Sequence, residues 1–270
     1  MTRPDVDNPA APPLDAVPPA VFYHVAAMNT WRSVLREQLR LLAHVGLTAN
    51  VTVGLLGDAD DAVTVTALAA QSGVAVTIGF RQPDLSLAEL PTLALLHAWA
   101  RRQRSPRPVL YLHTKGVSRP ADRVRIAWRR LMQRHVVADW PANCRRLADV
   151  DLVGVNWIES PLRPHFSGNV WLARSDWVAR LDPPQVYRLS QPPDFTWGGE
   201  PWRQRMFAET WVASRPGHRV TSLACANQRL RDGTTIYDFD THIPGFRYED
   251  DLGNKMPGRV EADQADRPRL

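Results

Sequence analysis

The stretch VTVGLLGDADDAVTVTALAAQSGVAVTI, residues 51–78, decides the fold class. Two apolar segments rich in β-branched residues, Val51–Leu56 and Val74–Ile78, are typical of buried strands. Between them lies the alanine-rich segment Asp60–Ser72, which has the length and composition of a helix. Because a helix between two buried strands is the usual connection of parallel strands, this stretch predicts an α/β fold.

The same alternation of strand and helix patterns continues on both sides of this stretch. Together the patterns predict a single Rossmann-like domain with a mainly parallel central sheet flanked by helices. Sheets of this kind bind ligands outside the carboxyl ends of their strands, so the segments that follow strands are the candidates for a site. Further strands are predicted at 21–26, 109–113, 152–156, 170–173 and 220–224, and further helices at 31–44, 89–103, 123–139, 175–180 and 201–214.

The ends of the chain differ in composition from the middle. Residues 1–20 contain six prolines and predict a flexible leader, whereas residues 247–270 are charged, poor in apolar residues and predict a loose tail. Residues 21–246 are expected to form one domain. The sequence has neither a secretory signal nor an apolar run long enough to span a membrane, and its two cysteines have no metal-binding spacing. These features favour a cytoplasmic protein with free thiols.

Positive charge is concentrated in one part of the chain. The net charge is +5, but residues 101–134 contain ten arginines and Lys115 against one acid, Asp122. Such a block favours an anionic ligand, which would be a phosphate, a nucleotide or a nucleic acid. A solvated, arginine-rich helix face is the alternative interpretation.

The segment Leu110–Gly116, LYLHTKG, places polar groups directly after a predicted strand. His113, Thr114 and Lys115 follow the apolar residues, and Gly116 lets the backbone turn sharply near a ligand. Lys115 is a compact charge suited to a phosphate, although a strand-end turn with an exposed lysine is the simpler interpretation. Neither a P-loop nor the glycine fingerprint of dinucleotide-binding folds is present.

A second polar segment and one helical carboxylate complete the candidates. His165–Asn169, HFSGN, offers donors to phosphate or sugar hydroxyls before the predicted strand at 170–173. Glu209 is a candidate general base on the predicted helix 201–214, with Asp194 and Glu200 as alternatives. The pattern Asp58-x-Asp60 is interpreted as a helix N-terminal cap rather than as a metal site.

These segments together resemble a bacterial glycosyltransferase-like family that carries the motifs HTKG and H(F/Y)SGN. The resemblance covers about residues 21–213 and implies a GT-A-like fold that binds a nucleotide-sugar. The matching pieces are Val21–His24, Trp31, Glu37–Leu39, Gly46–Leu47, Gly54–Gly57, Pro91–Leu93, Leu110–Ser118, Trp128–Met132, Val153–Asn156, His165–Trp171 and Glu209–Trp211.

The resemblance also implies roles for individual residues. In GT-A enzymes a D-x-D motif holds a divalent metal on the donor diphosphate, and this chain has His113, Thr114 and Lys115 at that place. His113, Lys115 and nearby arginines are therefore expected to stabilise the leaving diphosphate, with Glu209 as the catalytic base. The donor-binding residues implied are Tyr23, His24, Thr114, Gly116, Trp128, Arg129, Asn156, His165, Ser167, Gly168 and Asn169.

The function expected is glycosyl transfer from a nucleoside-diphosphate sugar to a saccharide or small metabolite. No metal is favoured; Mn²⁺ or Mg²⁺ held by Asp194, Asp238, Asp240 or His242 is the alternative. A non-catalytic protein that binds a nucleotide or, less favoured, a nucleic acid on the same fold is the rival from another class. A nucleotidyl- or phosphoryl-transfer enzyme is a third hypothesis, and the sequence shows no carboxylates placed to hold its metals.

Overall fold

A computed structural model provides the structure, which describes residues 13–118, 122–159, 164–192, 196–197, 200–201, 206–224, 227–229, 235–238, 240–248 and 259–261. Its strands are β1 (Ala20–Ala26), β2 (Val51–Leu56), β3 (Val76–Gln82), β4 (Pro108–His113), β5 (Leu152–Gly154), β6 (Trp157–Ile158), β7 (His165–Phe166), β8 (Trp171–Arg174), β9 (Thr196–Trp197), β10 (Glu200–Pro201), β11 (Val220–Ser222), β12 (Asn227–Arg229), β13 (Thr235–Asp238) and β14 (Arg259–Glu261). Its helices are α1 (Trp31–His44), α2 (Ala59–Gln71), α3 (Leu90–Ala100), α4 (Arg123–Met132), α5 (Trp140–Arg146), α6 (Ser175–Val178), α7 (Pro184–Ser190) and α8 (Phe207–Trp211).

Seven of the described strands form one mixed sheet in the order β3–β2–β1–β4–β8–β5–β11. Strand β8 runs antiparallel to β4 and β5, and the remaining neighbours in the sheet pair in parallel. The chain moves outward from β1 to β3 and then returns to place β4 on the other side of β1. The strand order therefore reverses between β1 and β4, which creates a switch point at their carboxyl ends. The predicted α/β class with a mostly parallel sheet is confirmed.

The alternation of side chains along β1 divides the core into two layers. Val21, Tyr23 and Val25 pack on one face of the sheet with the apolar side of α1, whereas Phe22 packs on the other face with α3 and α8. This division follows from the pleat, which directs successive side chains to opposite faces. Both faces of the sheet are consequently covered, as expected for parallel strands.

The N-terminus of α2 confirms the interpretation of the acidic residues after β2. The side chain of Asp58 accepts a hydrogen bond from the backbone N–H of Asp61, and the Asp61 side chain accepts one from the N–H of Asp58. This reciprocal arrangement is a capping box, which satisfies two backbone donors that the helix leaves unpaired. Asp58 is therefore occupied in holding the helix.

The helix predicted over 123–139 is a helix along most of its length, but its hydrogen bonding changes. α4 ends at Met132, Gln133–Ala138 continues as a π-helix, and α5 starts at Trp140. The prediction missed α5, whose first turn includes Pro141. A π-helical turn has no signal in hydrophobic periodicity, because it shifts the backbone bonding without interrupting the apolar face.

The sequence also set several boundaries wrongly. The helix predicted at 201–214 is described from Phe207 to Trp211, since Pro201 pairs in β10 and residues 202–205 lie outside the described residues. Within the predicted leader, Leu14 packs against the core. Within the predicted tail, β14 pairs antiparallel with β13. Composition detects burial of side chains, and it does not detect backbone pairing of this kind.

Two predictions about the whole chain concern thiols and membranes. Cys144 is a free, buried cysteine, and burial raises the pKa of its thiol to about 12; Cys225 lies outside the described residues. Within the described ranges, no helix is long and apolar enough to cross a membrane.

Candidate active site

The candidate site lies where β1 and β4 end side by side. His24 and His113 are register partners in this parallel pair, and both lie at the carboxyl edge of the sheet. The backbone N–H of Thr114 donates to the carbonyl of His24 at 3.0 Å, which extends the pairing by one residue. The HTKG segment therefore leaves the sheet at the switch point, where open α/β sheets bind their ligands.

Lys115 and Glu209 form the charged pair of the site. Lys115 Nζ lies 3.8 Å from Glu209 Oε1, and the two side chains are 15% and 17% exposed. The other oxygen, Glu209 Oε2, accepts a hydrogen bond of 3.2 Å from the backbone N–H of Gly168. A lysine from the turn after β4 and a glutamate from α8 thus meet beside the HFSGN segment. Chemically, the ammonium can bind an anion and the carboxylate can accept a proton.

His113 connects the end of β4 to the same segment. Its Nε2 lies 2.9 Å from the carbonyl oxygen of Gly168, and since a carbonyl only accepts, this nitrogen carries a proton. Burial lowers the pKa of His113, and Lys115 acts in the same direction, whereas Glu89 and Glu209 act against it. His113 consequently holds Gly168 from one side while Glu209 holds it from the other.

The HFSGN segment depends on a backbone conformation that glycine allows. Gly168 has a φ of 97°, and a Cβ there would lie 2.8 Å from both Met132 Sδ and Trp128 Nε1. Trp128 itself donates to the carbonyl of Ser167 at 3.3 Å. The next residue, Asn169, also has a positive φ of 52° and is fully buried. The segment is therefore fixed against α4 rather than free to move.

Glu89 is part of the site, and the sequence analysis missed it. Glu89 Oε2 accepts hydrogen bonds of 2.6 Å from Tyr111 Oη and from Asn169 Nδ2, and Oε1 lies 3.7 Å from His113 Nδ1. Burial alone would raise the pKa of Glu89, but His113, His24 and the Tyr111 hydroxyl outweigh it and lower the pKa. Glu89 precedes the Pro-Thr-Leu start of α3, and that local pattern gave no sign of contact with β4.

His24 is a buried, neutral member of the site. Its Nδ1 lies 2.9 Å from Thr92 Oγ1, and burial lowers its pKa to about 4. Gly54 allows α3 to approach this part of the sheet, because a Cβ there would overlap with Thr92 Oγ1. His24 is 4% exposed, so a ligand would meet its edge at most.

Two residues predicted to bind the donor brace the site instead. Tyr23 is fully buried in the core and donates to Gln38 Oε1 at 2.5 Å, and Gln38 in turn donates to the carbonyl of His113. Thr114 is 3% exposed, and its hydroxyl accepts a hydrogen bond from the backbone N–H of Ala26. Strand alternation explains the position of Tyr23, which points to the opposite face of the sheet from His24.

Arg129 also differs from the prediction, because it serves a buried ion cluster. Its guanidinium donates to Glu37 Oε1 at 3.1 Å and to the carbonyl of Lys115 at 3.1 Å. Arg130 and Gln133 donate to the same carboxylate. We call Glu37, Arg129, Arg130 and Gln133 the Glu37 cluster. It holds the backbone of the turn that carries Lys115, which we call the lysine turn. Within the cluster one carboxylate pairs with two guanidinium groups.

Other arginines of the basic block are paired in the same way. Arg125 pairs with Asp122 at 2.9 Å, and Arg134 pairs with Asp139 at 2.6 Å. The expectation that arginines of residues 119–134 converge on a diphosphate is therefore not met by these members, and Arg119 lies outside the described residues. The sequence shows the excess of positive charge, but helix periodicity does not identify which acid each arginine reaches.

The remaining predicted residues shape the rim of the site. Asn156 has a φ of 52° and is 1% exposed, and its carbonyl accepts from the backbone N–H of Ser167. His165 is 5% exposed and pairs with Ile158 between β7 and β6. Gly116 has a φ of 89° and turns the chain toward α4, as predicted for the residue after the lysine.

The alternative of a bound divalent cation depends on carboxylates that are only partly within the described residues. Among the described residues, no three histidine, cysteine, aspartate or glutamate side chains lie close enough together to hold a metal. Asp240 pairs with His135 at 4.0 Å, away from the lysine turn. Asp194 and the side chains of Glu200 and Asp238 lie outside the described residues, so their predicted roles stay predictions.

A cavity of about 570 Å³ lies away from these residues, between the ends of α1 and α2 and residues 245–247. Because α1 and α2 run back from the carboxyl edge of the sheet, this cavity lies toward its opposite edge. None of the residues at the switch point lines it.

None of the curated proteins matches the chain. Residues 21–232 match a family described as a domain of unknown function, DUF8361. This match begins at β1 and includes the switch point, the lysine turn, the HFSGN segment and α8. Since it covers well over half of the 270 residues, the chain belongs to the DUF8361 family.

Proposed function

We propose that the protein is a glycosyltransferase with a GT-A-like catalytic domain, and that it transfers a sugar from a nucleoside-diphosphate sugar to a hydroxyl of a saccharide or small metabolite. The observation that carries this proposal is the contact of Lys115 with Glu209 at the switch point of the sheet. The pair combines a cation for a leaving diphosphate with a carboxylate for an acceptor proton. Both side chains retain some exposure, so a ligand can reach them.

The proposed reaction uses the two members of the pair in separate roles. The acceptor oxygen forms a bond to the anomeric carbon, and the bond from that carbon to the diphosphate oxygen breaks with its electron pair remaining on the diphosphate. Glu209 takes the proton of the acceptor hydroxyl. Lys115 donates to the phosphate oxygens, where negative charge accumulates in the transition state.

The arrangement around the pair supports these roles. Gly168 holds Glu209 Oε2 by a backbone N–H, which leaves Oε1 directed at Lys115. Arg129 holds the carbonyl of Lys115, which fixes the turn that carries the ammonium. Fixed donors and acceptors of this kind reduce the reorganisation needed during the reaction.

Lys115 replaces, in this proposal, the metal of the D-x-D enzymes that the chain resembles. Transfer is therefore expected to persist in EDTA. Loss of transfer on chelation, with recovery on addition of Mn²⁺, would contradict this part of the proposal while leaving the glycosyltransferase assignment intact.

The decisive experiment measures release of nucleoside diphosphate from a panel of nucleotide-sugars, with and without a mixture of saccharide acceptors. A ligand at 100 times its dissociation constant adds about 2.7 kcal/mol to stability, so a thermal-shift screen first identifies the donor. We expect release that depends on Glu209. Binding without release would favour the non-catalytic nucleotide-binding alternative, and absence of binding to the whole panel would refute both hypotheses.

A further inference from the structure

We infer that Glu89 is a positioning residue of the site: its hydrogen bond holds Asn169, its charge acts on His113, and together these fix the Gly168 backbone on which Glu209 rests. The consequence for turnover rests on the proposed function. The orientation of His113 does not, because it is a property of the protein without ligand.

The position of Glu89 in the fold sets it apart from an ordinary helix-capping acid. It is the N-cap residue of α3, a position where the side chain of Ser, Thr, Asp or Asn commonly accepts from the first backbone N–H groups of the helix. Glu89 makes no such bond. Its carboxylate is directed instead at the face of β4 that carries Tyr111 and His113.

Two short hydrogen bonds fix the orientation of this carboxylate. Tyr111 Oη and Asn169 Nδ2 both donate to Oε2 at 2.6 Å. Asn169 is in turn fixed, since its side-chain oxygen accepts from Trp171 Nε1 at 2.8 Å. With Oε2 occupied, Oε1 faces Nδ1 of His113 at 3.7 Å.

His113 is held by a hydrogen bond at Nε2, and its Nδ1 faces the carboxylate of Glu89. Nε2 donates to the carbonyl of Gly168, and a flip of the ring would replace this donor by the Cε1–H group and lose the hydrogen bond. On the other side, Glu89 Oε1 lies too far from Nδ1 for a hydrogen bond, but its negative charge favours protonation of the ring. Of the other ionisable groups near the ring, Glu209 acts in the same direction as Glu89, whereas Lys115 opposes protonation.

The same glycine connects His113 to the proposed base. Gly168 accepts from His113 through its carbonyl and donates to Glu209 through its N–H. A shift of His113 would therefore move the support of Glu209. Misplacement of a reacting group by about 1 Å can cost about 10²-fold in rate, so a measurable loss of turnover is expected.

The test compares Glu89→Gln with Tyr111→Phe by NMR of the imidazole nitrogens in the full chain without ligand, with His113→Asn used to assign the signals. Glutamine keeps the shape of Glu89 but removes its charge, so we expect the pKa of His113 to fall. Tyr111→Phe removes a donor to Oε2 and leaves the charge, so we expect the pKa of His113 to stay the same or rise. Because the pKa of His113 is expected to fall only in Glu89→Gln, the comparison distinguishes the effect of Glu89 from a general loosening of the core.

The wild-type protein provides a test that needs no variant to fold. We expect the Nε2 signal of neutral His113 to be that of a protonated nitrogen, because this atom faces a carbonyl oxygen. A neutral form protonated at Nδ1 would overturn the inference. So would an unchanged His113 pKa in Glu89→Gln, or equal shifts of the same sign in both variants.

Kinetics then extend the inference to the reaction. In Glu89→Gln we expect kcat to fall by about 10- to 100-fold with a nearly unchanged KM for the donor, as for a misplaced reacting group. A fall in the His113 pKa with unchanged kcat would overturn the coupling to Glu209. Failure of the wild-type protein to turn over any donor would refute the proposed function and leave the NMR result as an independent test of the orientation of His113.

Discussion

Two charged clusters meet at the turn after β4, and they differ in how deeply their charges are buried. In the Glu37 cluster the side chains of Glu37, Arg129 and Arg130 are 12%, 7% and 2% exposed, with contacts of 3.1 Å. The pair of Lys115 and Glu209 is more exposed and is separated by 3.8 Å. Arg129 connects the two, since it donates to the carbonyl of Lys115.

The comparison shows that local charge density is a poor guide to ligand binding. The basic block of residues 101–134 contributes to both clusters, but the arginines of the first are committed to a buried carboxylate. Ions buried in this way need close partners, because desolvation is costly. The contact between Lys115 and Glu209 is longer and partly exposed, so less free energy is needed to break it when a ligand binds. We therefore assign a structural role to the Glu37 cluster and a chemical role to the pair of Lys115 and Glu209, and four predictions test this assignment.

The largest effect is expected for Glu209→Gln. If Glu209 takes the acceptor proton, its loss should lower kcat by about 10²–10⁴-fold, the contribution typical of general base catalysis. Nucleotide-sugar affinity should be retained, because the amide preserves the size of the side chain. Steady-state release of nucleoside diphosphate and calorimetric donor binding measure the two effects. Full turnover in this variant would mean that another group is the base, and Asp194 and Glu200 are the candidates.

Glu37→Gln is expected to affect stability rather than chemistry. Removal of the shared carboxylate charge leaves the guanidinium groups of Arg129 and Arg130 buried without it, which typically costs about 3–5 kcal/mol. Urea unfolding measures this loss. The matched control is Asp182→Asn, which breaks a 2.7 Å pair with Arg215 whose side chains are about half exposed. Exposed pairs contribute roughly 0–1 kcal/mol, so similar losses in the two variants would contradict the comparison.

Lys115→Ala should weaken nucleoside-diphosphate binding by about 1.5–3 kcal/mol, which corresponds to roughly 10- to 150-fold in affinity. The reason is the loss of the charge-assisted hydrogen bond from the ammonium to the phosphate oxygens. Titration calorimetry with the diphosphate identified by the thermal-shift screen measures this change. An affinity equal to that of the wild-type protein would remove Lys115 from the proposed site.

Arg134→Ala provides the smallest expected effect and the control for Lys115. Arg134 belongs to the same basic block, but its guanidinium pairs with Asp139 at 2.6 Å. Its removal should leave nucleotide affinity unchanged in the same calorimetric experiment. A loss as large as that of Lys115→Ala would show that the whole block attracts the ligand through its net charge.

The sequence predicted the fold class better than it predicted the boundaries of individual helices and strands. Hydrophobic periodicity located β1, α1 and β2 within one residue of their observed ends, because these elements bury a continuous apolar face. It predicted one long helix where α4 passes into a π-helix and then α5. It did not predict that β8 runs antiparallel to its neighbours, because an apolar strand of four residues has the same pattern in either orientation.

The candidate site was predicted in part. The HTKG and HFSGN motifs follow or precede strands, so the order of elements along the chain placed them near the sheet edge. The structure brings His113, Lys115, Gly168 and Glu209 into contact. The contact depends on how α8 packs against β7, which no local pattern encodes.

By itself, then, the sequence determined the α/β class, the two polar motifs and the excess of positive charge, since each of these is a property of neighbouring residues. Tertiary structure decided that Tyr23 and Arg129 support the site from inside the core, and that Glu89 joins it from α3. The physical reason is that hydrogen bonds and ion pairs between elements depend on distances in space. Glu89 and Asn169 are 80 positions apart in the chain and 2.6 Å apart in the folded protein.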